Sequence, residues 1–131
     1  MRDPSGAGWP ASVMVTGATS GIGLATALLL ARQGRQVFGT ARSQDKADAL
    51  VRTARAQGLG LDAVVMDLTD PASCGDAVAR VAERTDGGPH ALVANAGIPM
   101  TGAITDLSED RIRDVLEALG HNVRRCAPWA P

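Results

Sequence analysis

Apolar residues fall into short continuous runs separated by longer stretches with an apolar position every three or four residues. Val13-Met14-Val15 is the first run. It is bounded by turn residues and suits a strand buried on both faces. The next stretch predicts a helix with Ile22, Ala25, Leu28, Leu29 and Arg32 on one side and a stop at Gly34. The unit then recurs. Residues 36–40 predict strand two. A helix starting at Ser43 or Asp45 carries Ala47, Leu50, Val51 and Ala54, and Gly58 and Gly60 end it. Residues 61–66 predict strand three. Asp70-Pro71 then gives a cap followed by proline at the first helical position, with Cys74, Val78, Val81 and Ala82 as the stripe. Gly87-Gly88-Pro89 breaks the chain before strand four at residues 91–94. Ser108 opens a fourth helix with Ile112, Val115, Leu116 and Leu119 on one face, ended by Gly120.

Short apolar strands alternating with helices imply a parallel sheet with right-handed crossovers and helices on both faces. The expected fold class is α/β, a partial Rossmann-type doubly wound sheet of about four strands in the order 3-2-1-4. Three segments follow from this. Residues 1–12 form a flexible leader, 13–120 a partial Rossmann-type domain, and 121–131 an irregular tail with no apolar period. Without a fifth strand, strand four has a free edge, which natural sheets normally cover. The architecture is therefore expected to be incomplete, with possible self-association through that edge or the fourth helix.

Composition narrows the field. The 131 residues are 45% hydrophobic and 21% charged with a net charge of −1, as in a soluble globular protein. No charge surplus favours nucleic acid or an anionic membrane as partner. Tyrosine is absent, Lys46 is the single lysine, and Trp9, Phe38 and Trp129 are the only aromatic residues. That excludes a base-stacking platform and any phenolic acid or base within these residues. Cys74 and Cys126 read as reduced thiols in a cytoplasmic protein. His90 and His121 are isolated, so no metal site is expected. No signal pattern or membrane-length run occurs.

The candidate chemistry begins between strand one and helix one, in Thr16-Gly17-Ala18-Thr19-Ser20-Gly21-Ile22-Gly23. Gly17 permits a tight turn, and Gly21 and Gly23 allow a diphosphate to approach the backbone around Ile22. The helix N-terminus supplies free N–H groups and the positive dipole end, and Thr19 and Ser20 add hydroxyl donors. No Lys-Ser/Thr pair follows the glycines, so this is not a P-loop. At the end of strand two, Thr40-Ala41-Arg42-Ser43 contains no acid to accept from a ribose 2′-hydroxyl. Arg42 can instead meet a 2′-phosphate, with Ser43 adding a hydroxyl. A cation at a helix start is otherwise disfavoured by the dipole. The expected cofactor is therefore NADP(H) in preference to NAD(H). The missing acid also argues against an adenosylmethionine-dependent methyltransferase.

The glycine pattern, together with Val93-Ala94-Asn95-Ala96-Gly97 after strand four, resembles the short-chain dehydrogenase/reductase family over residues 12 to about 118. The resemblance implies an NAD(P)-dependent oxidoreductase that interconverts alcohols and carbonyl compounds. It implies that Asn95 stabilises the central sheet and that Ala96 and Gly97 line the adenosine-ribose side. Asp67 would accept from the adenine amino group, with the Leu68 backbone close by. It also requires a Tyr-x-x-x-Lys pair and an upstream Ser beyond strand four, which this sequence lacks. Leu119 occupies the slot of the family's helix-four Asn, and Asn122 lies three residues further on. The resemblance stops abruptly at about residue 118, so a truncated or frame-shifted chain is expected. The activity reading divides accordingly: a cofactor-binding fragment unable to catalyse, or a non-catalytic NADP(H)-binding or regulatory module, or an inert product. The substrate is not legible.

Overall fold

The computed structural model describes residues 8, 11–98 and 101–126. Expectations for most of the leader and for residues 127–131, and those on the side chains of His121, Asn122 and Cys126, lie outside the described residues. The element order is β1 (Ser12–Val15), α1 (Gly21–Arg32), β2 (Gln36–Ala41), α2 (Gln44–Arg55), β3 (Asp62–Val65), α3 (Pro71–Ala82), β4 (Ala91–Val93), a short 3-10 turn (Ile104–Asp106) and α4 (Glu109–Cys126). The four strands are parallel in the order β3-β2-β1-β4. This is an α/β Rossmann-like fold, as the strand–helix alternation predicts.

Successive strand residues point to opposite faces and build two cores. Val13, Val15 and Val37 pack with Ala27 and Leu28 of α1 and with Leu50 and Ala54 of α2. Met14, Phe38 and Val64 pack on the other face with Cys74, Ala77, Val78 and Val81 of α3. Phe38, the one phenylalanine, is fully buried there. Both faces are covered, so the strands read as unbroken apolar runs.

Three expectations need correction. Ser12 belongs to β1 and not to the leader: it is 2% exposed, and its Oγ lies 2.8 Å from His90 Nδ1. The buried face of α1 is Gly23, Ala27 and Leu28, with Leu24 and Ala31 beside them, while Ile22 and Leu29 are exposed. The run from Leu24 to Ala31 is apolar nearly all round, so periodicity could not select a face. Gly23 selects it, because it must lie against the preceding turn. Finally, α4 does not end at Gly120, and the segment after it is not irregular as far as Cys126. A glycine inside a helix costs only about 1 kcal/mol relative to alanine. Arg124 and Arg125 complement the dipole at the far end, and an Arg125 guanidinium N–H donates to the Leu68 carbonyl.

Two helix N-caps follow the sequence. Asp70 accepts from Ala72 N at 2.9 Å with Pro71 in the first turn, and Ser108 Oγ accepts from Arg111 N at 3.4 Å. On the open side of the sheet, β4 pairs only with β1 among the described strands. In α4, Ile112 and Val115 are half-buried, whereas Leu116 and Leu119 are 62% and 51% exposed.

Candidate functional site

Four parallel strands deliver their C-terminal ends to one edge, and the strand order reverses between β1 and β4. A crevice opens there, as it does in doubly wound sheets generally. Its volume is about 360 Å³. The glycine turn (Gly17, Thr19, Ser20) forms one wall, the end of β2 (Thr40, Ala41, Arg42) and Lys46 a second, and Met66–Thr69 a third. Asn95–Ile98 and Ala118 of α4 close it.

The turn is built by its neighbours. Thr16 is fully buried, and its Oγ1 accepts from Asn95 N at 3.1 Å and Ala96 N at 3.0 Å. Asn95 returns the contact through Nδ2, which donates to the Thr16 and Gly17 carbonyls, each at 3.2 Å. Gly17 has φ +65°, and a Cβ there would stand 2.8 Å from the Ala96 Cα. A Cβ on Gly23 would overlap the Gly17 carbonyl oxygen, so this position packs the helix onto the turn. Ser20 is the N-cap of α1 in extended conformation, yet its side chain makes no capping bond. Its hydroxyl therefore stands at the open N-terminus of the helix with no capping duty. Such a terminus is suited to an anion.

At the opposite wall, Asp67 Oδ1 accepts from Thr69 N at 2.9 Å and Thr69 Oγ1 at 2.7 Å. Asp67 is thus a turn-forming carboxylate as well as a cavity residue. The Thr69 hydroxyl, then its backbone N–H, holds the carboxyl below the ordinary aspartate range. Partial burial opposes this, and the Arg42 charge adds a smaller pull downward. The turn around Asp67 is tied to α3, since Asp67 N donates to Ser73 Oγ at 2.9 Å and the Cys74 thiol donates to the Asp67 carbonyl at 3.3 Å. Burial pushes the Cys74 thiol up, against a smaller lowering by Arg125, which marks it as a packing residue and not a reactive one.

Of the residues singled out from the sequence, Gly17, Thr19, Ser20, Arg42, Asp67, Leu68, Asn95, Ala96 and Gly97 meet around this cavity. Gly21, Ile22, Gly23 and Ser43 do not line it. Gly23 is buried behind the turn, the Ile22 side chain is 79% exposed, and Ser43 is the N-cap of α2. Thr40, Lys46 and Thr69 line it and were not singled out. Lys46, the single lysine, is exposed, but it lies at the cavity rim in the first turn of α2, four residues after Arg42. That nearness in sequence was the available signal. The arrangement offers N–H and hydroxyl donors at one wall, two cations at the second and an ionised acceptor at the third. Among the described residues no group of His, Cys, Asp or Glu could hold a metal ion, and no helix is long and apolar enough to cross a membrane.

A parallel sheet of this order, with its crevice at the reversal point and a glycine turn opening the first helix, defines a Rossmann-like α/β protein. Residues 11–122 match the family model of the short chain dehydrogenases, and the chain belongs to that family. It is 42% identical over 112 residues to a ketoacyl reductase assigned to the monensin polyketide synthase of Streptomyces virginiae, covering 86% of this chain and 42% of that protein. It is 36% identical over 104 residues to the 3-oxoacyl-(acyl-carrier-protein) reductase FabG of Escherichia coli, covering 79% of this chain and 41% of the relative. Among solved structures, actinorhodin polyketide ketoreductase with NADPH superposes with a TM-score of 0.79 at 31% identity, over 92% of this chain and 47% of the other. NADPH-bound carbonyl reductase from chicken fatty liver gives 0.78 at 31% identity, over 92% and 50%. The chain thus spans about two-fifths of the length of the curated relatives it matches.

Proposed function

We propose that these residues form the cofactor-holding part of an NAD(P)-dependent oxidoreductase acting on alcohols or carbonyl compounds, and that they bind NADP(H) in preference to NAD(H). The observation that carries the reading is the single crevice joining the glycine turn, the cationic end of β2 and the Asp67 carboxylate. The residues fit the group: Gly17, Thr19, Ser20 and the start of α1 hold the diphosphate, with Gly21 and Ile22 contributing backbone and Gly23 close packing. Arg42, with Lys46 and Ser43 nearby, meets the 2′-phosphate. Asp67 accepts from the adenine amino group beside Leu68, and Ala96 and Gly97 flank the ribose. Open space around Gly21, where a Cβ would meet nothing within 4 Å, leaves room for the diphosphate to approach the backbone. The nicotinamide supplies the hydride chemistry when bound. NADPH-bound neighbours support this choice of cofactor.

Calorimetric titration with NADPH tests the reading, and the expected result is saturable one-to-one binding. Its pH profile carries the Asp67 signature. A depressed pKa keeps the carboxylate ionised, so its contribution is fully present above the ordinary value of 3.8 and is lost only as pH falls through the lower folded-state value. The Asp67 part of the affinity should therefore hold from neutral pH down to that ordinary value, and any loss on the way belongs to the 2′-phosphate, whose second proton binds at about pH 6. Heat-silent titration at neutral pH, with no protection of the protein against thermal unfolding, would sink the proposal.

A second reading, a non-catalytic NADP(H)-binding or regulatory module, is favoured by the absence of tyrosine and by the place of the one lysine on α2. Both readings are proposed for a cytoplasmic protein, and neither needs nucleic acid or membrane as a partner. Self-association through the β4 edge or the Leu116–Leu119 face of α4 accompanies both, because unpaired backbone and exposed apolar side chains favour it. Light scattering after size exclusion should return a mass above 13.4 kDa. A strictly monomeric peak at high protein concentration is the contrary result.

A further inference from the structure

The glycine turn is gripped from two strands, by Asn95 after β4 and by Thr40 of β2. Thr40 is 3% exposed. Its Oγ1 accepts from Gly17 N at 3.1 Å, and its carbonyl accepts from Ala18 N at 3.1 Å. Gly17 cannot shift toward the other side, because its Cα hydrogen faces the Ala96 backbone, with room there for no Cβ. On that side its carbonyl is held by Asn95 Nδ2. Gly17 therefore has both backbone polar groups committed, one to each neighbouring strand. The residues flanking Thr40, Gly39 and Ala41, have no polar side-chain atom that could take over. Thr40 also lines the crevice two residues before Arg42.

We infer that Thr40 is a positioning residue that fixes the glycine turn in its binding shape before any dinucleotide arrives. The inference rests on the dinucleotide reading above. Its mark is indifference to the 2′-phosphate. Thr40 bonds the turn, which both NADPH and NADH would use, whereas Arg42 would act on NADPH alone. A turn that is already ordered spares the ligand the entropy of ordering it. Releasing the Gly17 N–H gives that advantage up for either nucleotide.

Thr40→Val keeps the volume and the β propensity but removes the hydroxyl, and Thr40→Ser keeps the hydroxyl with less volume. Binding of NADPH and of NADH to the whole chain is measured by calorimetry, with amide exchange at Gly17 and Ala18 followed in the ligand-free protein. Thr40→Val should weaken both nucleotides by the same factor, about fivefold for one neutral hydrogen bond. It should also speed Gly17 exchange, and Thr40→Ser should restore both readouts. Unchanged binding of both nucleotides to Thr40→Val, a loss confined to NADPH, or failure of serine to restore them would overturn the inference. A wild-type chain that binds neither nucleotide overturns the functional reading instead. Gly17 exchange then decides the clamp alone, and unchanged exchange in Thr40→Val refutes it.

Discussion

The purified 131-residue chain, mixed with NADPH and a carbonyl substrate, should consume NADPH no faster than a control without protein. Reduction of a carbonyl needs a proton delivered to the forming alkoxide, and a positioned general acid contributes about 10²–10⁴-fold to such a step. No tyrosine exists among these residues, and the single lysine lies on α2 at the rim of the crevice. Of the charged groups lining the crevice, Asp67 is held ionised, so it has no proton to give at neutral pH. Arg42 carries a guanidinium that proteins do not deprotonate. Binding without chemistry is the expected outcome. Steady consumption of NADPH at an ordinary enzymatic rate, on the order of 1–10³ s⁻¹, would show that another group does the work.

Arg42→Ala should weaken NADP(H) by about tenfold or more and leave NAD(H) nearly unchanged. A charge-assisted hydrogen bond is worth about 1.5–3 kcal/mol, and about 1.4 kcal/mol corresponds to tenfold. The position of Arg42 supports the estimate. It follows β2 directly, lines the crevice, and stands at the start of α2, where the dipole gives a cation no benefit. Lys46 shares that end of the crevice, so the residual preference for NADP(H) in Arg42→Ala measures how far a second cation substitutes. Calorimetry with both nucleotides reads the effect directly. Equal losses for NADP(H) and NAD(H) would assign Arg42 to the fold and not to the 2′-phosphate.

Strand order was legible because each short apolar run came with its own turn and cap signals, from Gly17 through Asp70 to Ser108. Most of the candidate site was legible for the same reason: it lies where those strands end. What escaped the sequence depends on contacts distant along the chain. The buried face of α1 is chosen by Gly23 meeting Gly17, which an all-apolar run does not reveal. Thr40 looked like an ordinary strand residue until its hydroxyl was seen on the Gly17 N–H. Lys46 escaped because a single lysine carries no pattern, although it follows Arg42 by only four residues. The end of α4 was misplaced because Gly120 resembles a stop, while the bond from Arg125 to Leu68 that anchors the last turn joins residues 57 positions apart.

The double grip on the glycine turn also sets an order of events during folding. Gly17 meets Thr40 across 23 residues, but Asn95 meets Gly17 across 78. Closing the longer loop costs more chain entropy, and contacts of such separation form late. A nascent chain that has reached Gly60 holds the turn, both flanking helices and the β2 half of the clamp, but lacks the β4 half. Competence to take a nucleotide therefore arrives with the docking of β4, so a turn made before three of the four described strands is completed only when the fourth has joined them.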